Sequence, residues 1–278
     1  MAGIAVCQGA CRSLRRMEAS LNRRLALVAR RQVLSLAVLA LVGFGADVAV
    51  ARSRPAAVKP AAAFSRHPDF RGRWASRDVH EVAEWVLASG DNHGGSFIII
   101  DKVQARIFVF EPSGRLRGSA PVLLGLAKGD DSAPGIGDKP LAEIKPEERT
   151  TPAGRFVAEP GVNAHGKDVV WVDYDAAVSM HRVLTSNPAE RRPQRLASRT
   201  PKDNRISYGC INLPVPFYEK VVSPTVNGGE TIIYVLPETR PASVAFGFRE
   251  SSRYASRRGT PGGAAHTGTI RLQQLDGA

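Results

Sequence analysis

A cysteine in the last third of the chain is the first candidate for chemistry. The chain has three cysteines, and Cys7 and Cys11 lie in an N-terminal segment that is predicted below to be removed. The mature protein would then carry Cys210 alone and could form no internal disulfide. An unpaired thiol in an exported protein is open to oxidation, so a reactive role is one interpretation. The other is a small buried hydrophobic residue, because free cysteine is among the most buried residue types.

The residues around Cys210 favour the reactive interpretation. Gly209 allows a close backbone approach or a positive φ just before the cysteine, and backbone amides there could point at a developing oxyanion. His181 precedes the cysteine by 29 residues, at the end of an apolar, β-branched run where a strand would present it at a sheet rim. Because a histidine can take the thiol proton or hold a thiolate–imidazolium pair, the pattern predicts acyl transfer through a thioester.

Two other residues compete with His181 for the role of base. His165 has a suitable ordinary pKa but lies on a glycine-flanked turn, where no strand would fix it. Tyr208 adjoins the Gly-Cys pair, but an unperturbed phenol titrates near ~10, so it is better suited to donating a hydrogen bond or lining a pocket. The prediction is therefore that His181 is the base.

Three motifs together resemble a known family. The motifs are Thr-Pro-Ala-Gly-Arg-Phe at residues 151–156, His181, and Ser-Tyr-Gly-Cys-Ile-Asn at residues 207–212. Together they look like the signature of the L,D-transpeptidase (YkuD-like) catalytic domain, and they occur in that family's order. The resemblance covers about residues 96–237. It departs from the family where Tyr208 replaces a usual second histidine and where the His-to-Cys loop is longer. The resemblance implies a β-sandwich, with a peptidoglycan tetrapeptide stem cut at an L-to-D bond as acyl donor and a second stem's amine as acceptor.

The candidate site residues follow from these motifs and from the loop before them. Residues 185–205 are rich in arginine, whose guanidinium fork suits substrate carboxylates, although nothing in the sequence selects one arginine over the others. We expect no metal and no cofactor. The predicted catalytic residues are Cys210, His181 and Gly209, and the predicted substrate-binding residues are Tyr208, Ser207, Asn212 and Arg205.

The first 51 residues have the layout of an export signal. Arginines between residues 23 and 31 precede an apolar stretch at 33–44 and a small-residue cleavage site ending at Ala51. The apolar stretch is too short for a membrane span. Residues 30–34 also resemble a twin-arginine signal, and general secretory export stays open. We expect a protein exported to the periplasm or cell envelope, with no stable membrane span after cleavage.

Removal of the signal lowers the net charge from +12 to +7. A nucleic-acid partner is one interpretation of a basic chain, but no aromatic-rich basic motif accompanies the charge and the protein is exported. An anionic cell envelope is the better electrostatic partner, so we expect no nucleic acid. The resemblance implies peptidoglycan stem peptides as partners, and we expect a monomer.

The remaining elements predict a mostly β domain, an L,D-transpeptidase-like β-sandwich with short helices and long loops. Residues 52–75 read as a flexible linker, 76–237 as the catalytic domain and 238–278 as a disordered tail. Within the domain, apolar spacing predicts one amphipathic helix between Ser76 and Gly90. Alternating runs predict antiparallel strands around residues 97–124, and 126–150 is either a flap over the cleft or a solvated loop.

Three functions stay open at this point. The first is a peptidoglycan L,D-transpeptidase, which would belong to cell-wall organisation and cell shape. An L,D-carboxypeptidase or endopeptidase would use the same site with a different acceptor. A catalytically idle peptidoglycan-binding module is the third, and the tyrosine at position 208 is the feature that favours it.

Overall fold

The computed structural model describes residues 67–163 and 165–249 and contains a five-stranded sheet at its centre. In this sheet the first and last strands of the domain pair in parallel, and all the other pairs are antiparallel. The spatial order, with strands numbered along the chain, is β3 (Leu116–Pro121), β2 (Arg106–Phe110), β1 (Ser96–Asp101), β11 (Thr231–Val235) and β5 (Gly154–Val157).

A second sheet of four strands packs on the first and carries the candidate site. Its last two strands along the chain pair in parallel, and the other pairs are antiparallel. A short parallel pair, β4 (Leu124–Gly125) with β9 (Arg205–Ser207), lies beside them. The order of the second sheet is β10 (Ile211–Leu213), β8 (Val178–Arg182), β7 (Asp168–Asp173) and β6 (Glu159–Val162).

Strand β1 shows why the core has two compartments. Its side chains alternate between the two faces of the central sheet, as those of any strand do. Ile98 and Ile100 are fully buried among residues of both sheets, including Met180 of β8. Phe97 and Ile99 are fully buried on the other face. A strand whose central residues are apolar on both faces can therefore lie only in the middle of the molecule.

Helix α1 (Arg77–Ser89) covers the outer face of the central sheet, as predicted. The Ser76 side chain accepts from the Val79 N–H at 3.4 Å, so it caps the start of the helix. Gly90 ends the helix with φ 71°, and its N–H donates to the Val86 carbonyl. The apolar spacing places a buried stripe, including Val79 and Val82, against the sheet.

The other helices are short; all but the last lie between strands, and the last follows β11. A longer helical segment follows β10 and includes one wide turn at Tyr218–Val222. The loop at 126–150 contains three 3₁₀ turns. The prediction of a mostly β sandwich with short helices and long loops is confirmed. The α-helical pieces are α2 (Arg192–Ala197), α3 (Val215–Phe217), α4 (Ser223–Asn227) and α5 (Ala242–Phe246).

Part of the predicted linker and part of the predicted tail fold onto the domain. Phe70 is buried, with its ring edge-on to Phe110 at 5.4 Å between centroids. Phe246 and Phe248 both stack on Trp85 of α1, at 6.0 and 5.2 Å. Composition alone missed these contacts, because a few isolated aromatic side chains can anchor a segment that has no apolar periodicity.

The predicted signal peptide, its cleavage site, the rest of the linker and most of the tail lie outside the described residues. Within 67–163 and 165–249, no helix is both long enough and apolar enough to cross a membrane.

Candidate active site

The parallel pairing of β8 with β10 brings the predicted base and the predicted nucleophile to one face of the second sheet. His181 is the register partner of Asn212, and Cys210 directly precedes β10. Because side chains alternate along a strand, Ser179 and His181 share one face of β8, while Met180 between them points into the core between the sheets. His181 and Cys210, which are 29 residues apart in the sequence, are therefore close together in the fold.

The thiol lies on an apolar floor with two polar neighbours. Cys210 is partly exposed and packs against Val169 and Trp171. Its Sγ is 3.7 Å from the Ser179 hydroxyl and 3.7 Å from the Ala177 carbonyl oxygen. The residue is therefore not a fully buried hydrophobe, and its sulfur is held beside groups that can exchange hydrogen bonds with it.

The imidazole of His181 is oriented by backbone and amide contacts. Its Nδ1 is 2.7 Å from the Arg182 carbonyl oxygen, and its Nε2 is 3.5 Å from the Asn212 amide nitrogen. A carbonyl oxygen can only accept, so Nδ1 carries the proton in the neutral ring. Nε2 then keeps its lone pair, and this is the tautomer in which Nε2 can act as a base.

Gly209 is required by the backbone before the thiol. Its φ is 135°, and a Cβ there would lie 2.9 Å from the Thr150 carbonyl oxygen. The Gly209 carbonyl accepts from the Thr151 hydroxyl at 2.7 Å, and its N–H donates to the Ser207 hydroxyl at 3.2 Å. The Gly209 amide, one of those predicted to hold an oxyanion, is thus engaged within the loop, so the role that the geometry gives Gly209 is conformational.

Ser207 and Asn212 are not placed to bind substrate, contrary to the sequence prediction. Both side chains are almost fully buried. The Ser207 hydroxyl donates to the Cys210 carbonyl at 2.6 Å. The Asn212 amide also donates to that carbonyl, at 3.2 Å. The two residues close the turn around the cysteine, because its polar backbone groups must be satisfied out of water.

A buried arginine orients Asn212, and the sequence did not single it out. Arg192, at the start of α2, is 3% exposed. Its guanidinium donates to the Asn212 side-chain oxygen at 2.5 Å and forms an ion pair with Glu190. This fixes which end of the Asn212 amide faces His181. The sequence offered only a loop with several arginines, and nothing local distinguishes the buried one.

Arg205 belongs to a buried charge cluster and not to a substrate-binding surface. Its guanidinium is 2.6 Å from Glu238 and also donates to the Lys102 carbonyl at 2.9 Å. Lys102 Nζ in turn is 2.9 Å from Asp130. The cluster holds two positive and two negative groups, which is the condition for burying charge. The prediction for Arg205 is corrected, because its donors are occupied by protein acceptors.

This cluster also supports the turn at the thiol. Lys102 Nζ donates to the Thr151 carbonyl at 3.0 Å, and the Thr151 hydroxyl is the donor to Gly209. Burial lowers the pKa of Lys102, partly offset by Asp130. Burial would raise the pKa of Asp130, but hydrogen bonds from Thr239 and Lys102 outweigh it and hold that pKa well below its usual range.

Tyr208 and His165 occupy different surroundings. Tyr208 is partly exposed, next to the Gly-Cys pair, and the Arg149 guanidinium lies 3.9 Å from its ring centroid. This contact brings the end of the 126–150 loop against the turn at residues 207–210. His165 is exposed on a turn, where its backbone N–H donates to the Asn163 side chain.

A cavity of about 430 Å³ opens beside His181. Its apolar wall includes Val169, which also contacts Cys210. On its polar side, Arg182 pairs with Asp168 and with Glu219, each at 2.9 Å. Burial would raise the pKa of Asp168, but Arg182 holds it below its ordinary value. The cavity therefore combines an apolar floor with fixed charges, as small-molecule and peptide sites do.

No group of three or more His, Cys, Asp or Glu among the described residues could hold a metal ion. The polar groups near the thiol are hydroxyl, carbonyl and amide groups together with one imidazole. These groups can position a substrate and move a proton.

No protein-family model and no curated protein matches the chain. Solved structures with a similar chain path include the catalytic domain of an L,D-transpeptidase from E. faecium, at 17% identity and TM-score 0.30, over 51% of this chain and 98% of that one. An L,D-transpeptidase of Enterococcus faecium is 15% identical with TM-score 0.29, over 50% of each chain. The helical cell shape determining protein Pgp2 from Campylobacter jejuni is 15% identical with TM-score 0.34, over 54% of this chain and 52% of that one. The chain thus spans about half the length of the latter two proteins.

Proposed function

We propose that this protein is a cysteine-dependent peptidoglycan L,D-transpeptidase. One observation carries the proposal: Cys210 directly precedes β10, whose parallel partner β8 carries His181, and the thiol is partly exposed while Nδ1 of the imidazole lies against a carbonyl oxygen. The motifs at 151–156 and 207–212, which resemble that family, contribute Thr151 and Gly209 to the same turn. Sequence resemblance and local geometry therefore support one site.

The reaction would begin with proton transfer from the Cys210 thiol to Nε2 of His181. The thiolate then attacks the carbonyl carbon of an L-to-D peptide bond in a stem peptide, and the carbonyl π electrons move to oxygen. The tetrahedral intermediate collapses, His181 returns the proton to the leaving amine, and a thioester remains on Cys210. An amine of a second stem then attacks the thioester carbon and loses a proton to His181. Collapse of this second intermediate leaves a new amide bond and breaks the C–S bond, and His181 returns the proton to the sulfur.

The oxyanion of this reaction needs donors other than the Gly209 N–H, which Ser207 engages. The partly exposed Tyr208 beside the nucleophile is a candidate donor, since a protonated phenol can hydrogen-bond an oxyanion. We expect Tyr208→Phe to slow turnover by much less than loss of the base. A loss as large as that of His181→Ala would mean that Tyr208 takes part in proton transfer.

The test is mass spectrometry of purified muropeptides incubated with the mature protein. Cross-linked dimers support the transpeptidase, trimmed stems would identify an L,D-carboxypeptidase or endopeptidase, and unchanged muropeptides would indicate an idle binding module. Cys210→Ala is the matched variant: it should abolish turnover and leave the fold intact, because one small side chain replaces another. Near-wild-type activity of that variant would refute the mechanism.

Export is the second part of the proposal. The predicted cleavage after Ala51 would remove Cys7 and Cys11 and leave a single thiol. Intact-mass measurement on the envelope fraction tests it, and a mature chain that retains these cysteines would contradict it.

A further inference from the structure

A second cavity, of about 400 Å³, lies outside the proposed active site. It opens between the start of β2, the end of β3 and the segment that follows α2. Trp74 lines this cavity with 65% of its surface exposed. The residues used below are Trp74, Arg106, Arg199 and Ser198, all of which line the cavity.

The charge of the cavity wall is positive. Arg106 and Arg199 both line it, and no Asp or Glu of the described chain does. Neither arginine has an ion-pair partner among the described residues, unlike Arg182, Arg192 and Arg205, which each pair with a carboxylate. Two unpaired guanidinium groups at one concave surface raise its potential, so an anion bound there is stabilised.

Arg106 adds a second observation. Its Nε is buried and has no hydrogen-bond acceptor within 67–163 and 165–249. A buried donor without a partner is costly, on the order of 1–3 kcal/mol, and such groups are rare in folded proteins. Asp203, the acidic residue nearest this wall along the chain, already accepts from the Ser198 hydroxyl at 2.6 Å. The Arg106 Nε is therefore a donor that no described residue satisfies.

The exposed indole narrows the class of ligand. A guanidinium fork matches the oxygens of a carboxylate or a phosphate. The face of Trp74 carries negative charge from its π electrons and attracts the slightly positive C–H edges of a ring stacked on it. A simple inorganic anion would use the arginines and leave the indole unused, whereas a sugar acid or sugar phosphate would use both. The cavity volume is at the low end of small-molecule sites, ~300–1,000 Å³.

We propose that this cavity binds a sugar that carries a carboxylate or a phosphate, with the anion on Arg106 and Arg199 and the ring on Trp74. The site does not depend on the chemistry of Cys210, so its failure and the failure of the proposed function are separable. Carboxylated and phosphorylated sugars share the chemistry recognised here and are distinguished by the test.

The test is isothermal titration of the mature protein with four probes: glucuronic acid, glucose 6-phosphate, glucose and inorganic phosphate. We expect saturable binding of at least one charged sugar in the millimolar range or tighter, and binding of glucose and of phosphate at least about tenfold weaker. The tighter of the two charged sugars identifies the anion. Absence of saturation by both at about 10 mM would overturn the proposal.

Variants then assign the residues. Arg106→Gln and Arg199→Gln should each weaken binding about tenfold or more, since each removes a charge-assisted contact, and Trp74→Ala should remove the preference for sugar over phosphate. Arg117→Gln is the matched control, because Arg117 is exposed and does not line the cavity. The rate of Cys210 alkylation should be unchanged in all four variants. Equal loss in Arg117→Gln, or full binding by both Arg106→Gln and Arg199→Gln, would overturn the assignment.

Discussion

Replacement of Gly209 by alanine tests whether the turn before the thiol is built as described. The backbone there has φ 135°, and the added Cβ would meet the Thr150 carbonyl oxygen at 2.9 Å. A suitable control exists in Gly229, where φ is 155° and a Cβ would have nothing within 4 Å. Both substitutions place an L residue in an unfavourable backbone region, but only the first also creates a clash with backbone.

The expected magnitudes follow from these two terms. An unfavourable φ costs about 1–3 kcal/mol, and a clash that requires a backbone shift costs about 1–3 kcal/mol more. Gly229→Ala should therefore lower the free energy of unfolding by about 1–3 kcal/mol, and Gly209→Ala by about 2–6 kcal/mol. Domains of this size are stable by about 5–15 kcal/mol, so Gly229→Ala should still fold near room temperature, whereas the upper figure for Gly209→Ala would unfold a domain at the low end of that range.

Urea unfolding at neutral pH measures the difference between the variants, and alkylation of Cys210 by iodoacetamide reports the local effect. The clash should move the Gly209 carbonyl away from the Thr151 hydroxyl, whose present distance is 2.7 Å. We therefore expect the alkylation rate to change in Gly209→Ala and to stay at the wild-type value in Gly229→Ala. Equal losses of stability with unchanged alkylation in both variants would refute the reasoning.

Three further predictions concern the base, the buried charge cluster and the arginine behind the site. His181→Ala should remove the low-pH limb of thiol alkylation and slow turnover by about 10²–10⁴-fold, and a larger loss in His165→Ala would reassign the base. Asp130→Asn should destabilise the fold at pH 7 by about 3–5 kcal/mol, because it removes one of the two carboxylates that balance the buried Lys102 and Arg205. Since the pKa of Asp130 is lowered in the fold, its contribution is present above the unfolded value of about 3.9 and is lost as pH falls towards the folded pKa. Urea unfolding should thus show a gap between wild type and variant that narrows below about pH 4, and a constant gap from pH 7 to 2 would contradict the pairing. Arg192→Lys should cost about 1–3 kcal/mol and shift the midpoint of the alkylation profile with pH, since a lysine cannot hold Glu190 and the Asn212 oxygen in one planar fork; an unshifted profile would limit Arg192 to a structural role.

Local sequence patterns determined the elements of this fold. The helix between Ser76 and Gly90, the apolar strand Ser96–Asp101 and the strand that presents His181 all follow from periodicity and cap residues. These signals can be read locally, because hydrogen bonds and alternation within one segment fix its conformation. The turn at Cys210 was likewise recognisable, since a glycine directly precedes the cysteine in the sequence.

The partners of the buried polar groups were decided only by tertiary structure. Arg205 and Glu238 meet across 33 residues, and Arg192 and Asn212 across 20. Several arginines in the same loop have similar neighbours in the sequence. Which of them becomes buried depends on where the fold places distant carboxylates and amides. For the same reason Ser207 and Asn212, although within the recognisable motif, turned out to support the cysteine loop. The sequence thus determines which residue types are available for chemistry. The packing of distant segments decides which of them face a substrate, because a buried charge or amide must form its ion pair or hydrogen bond with whichever group the fold brings to it.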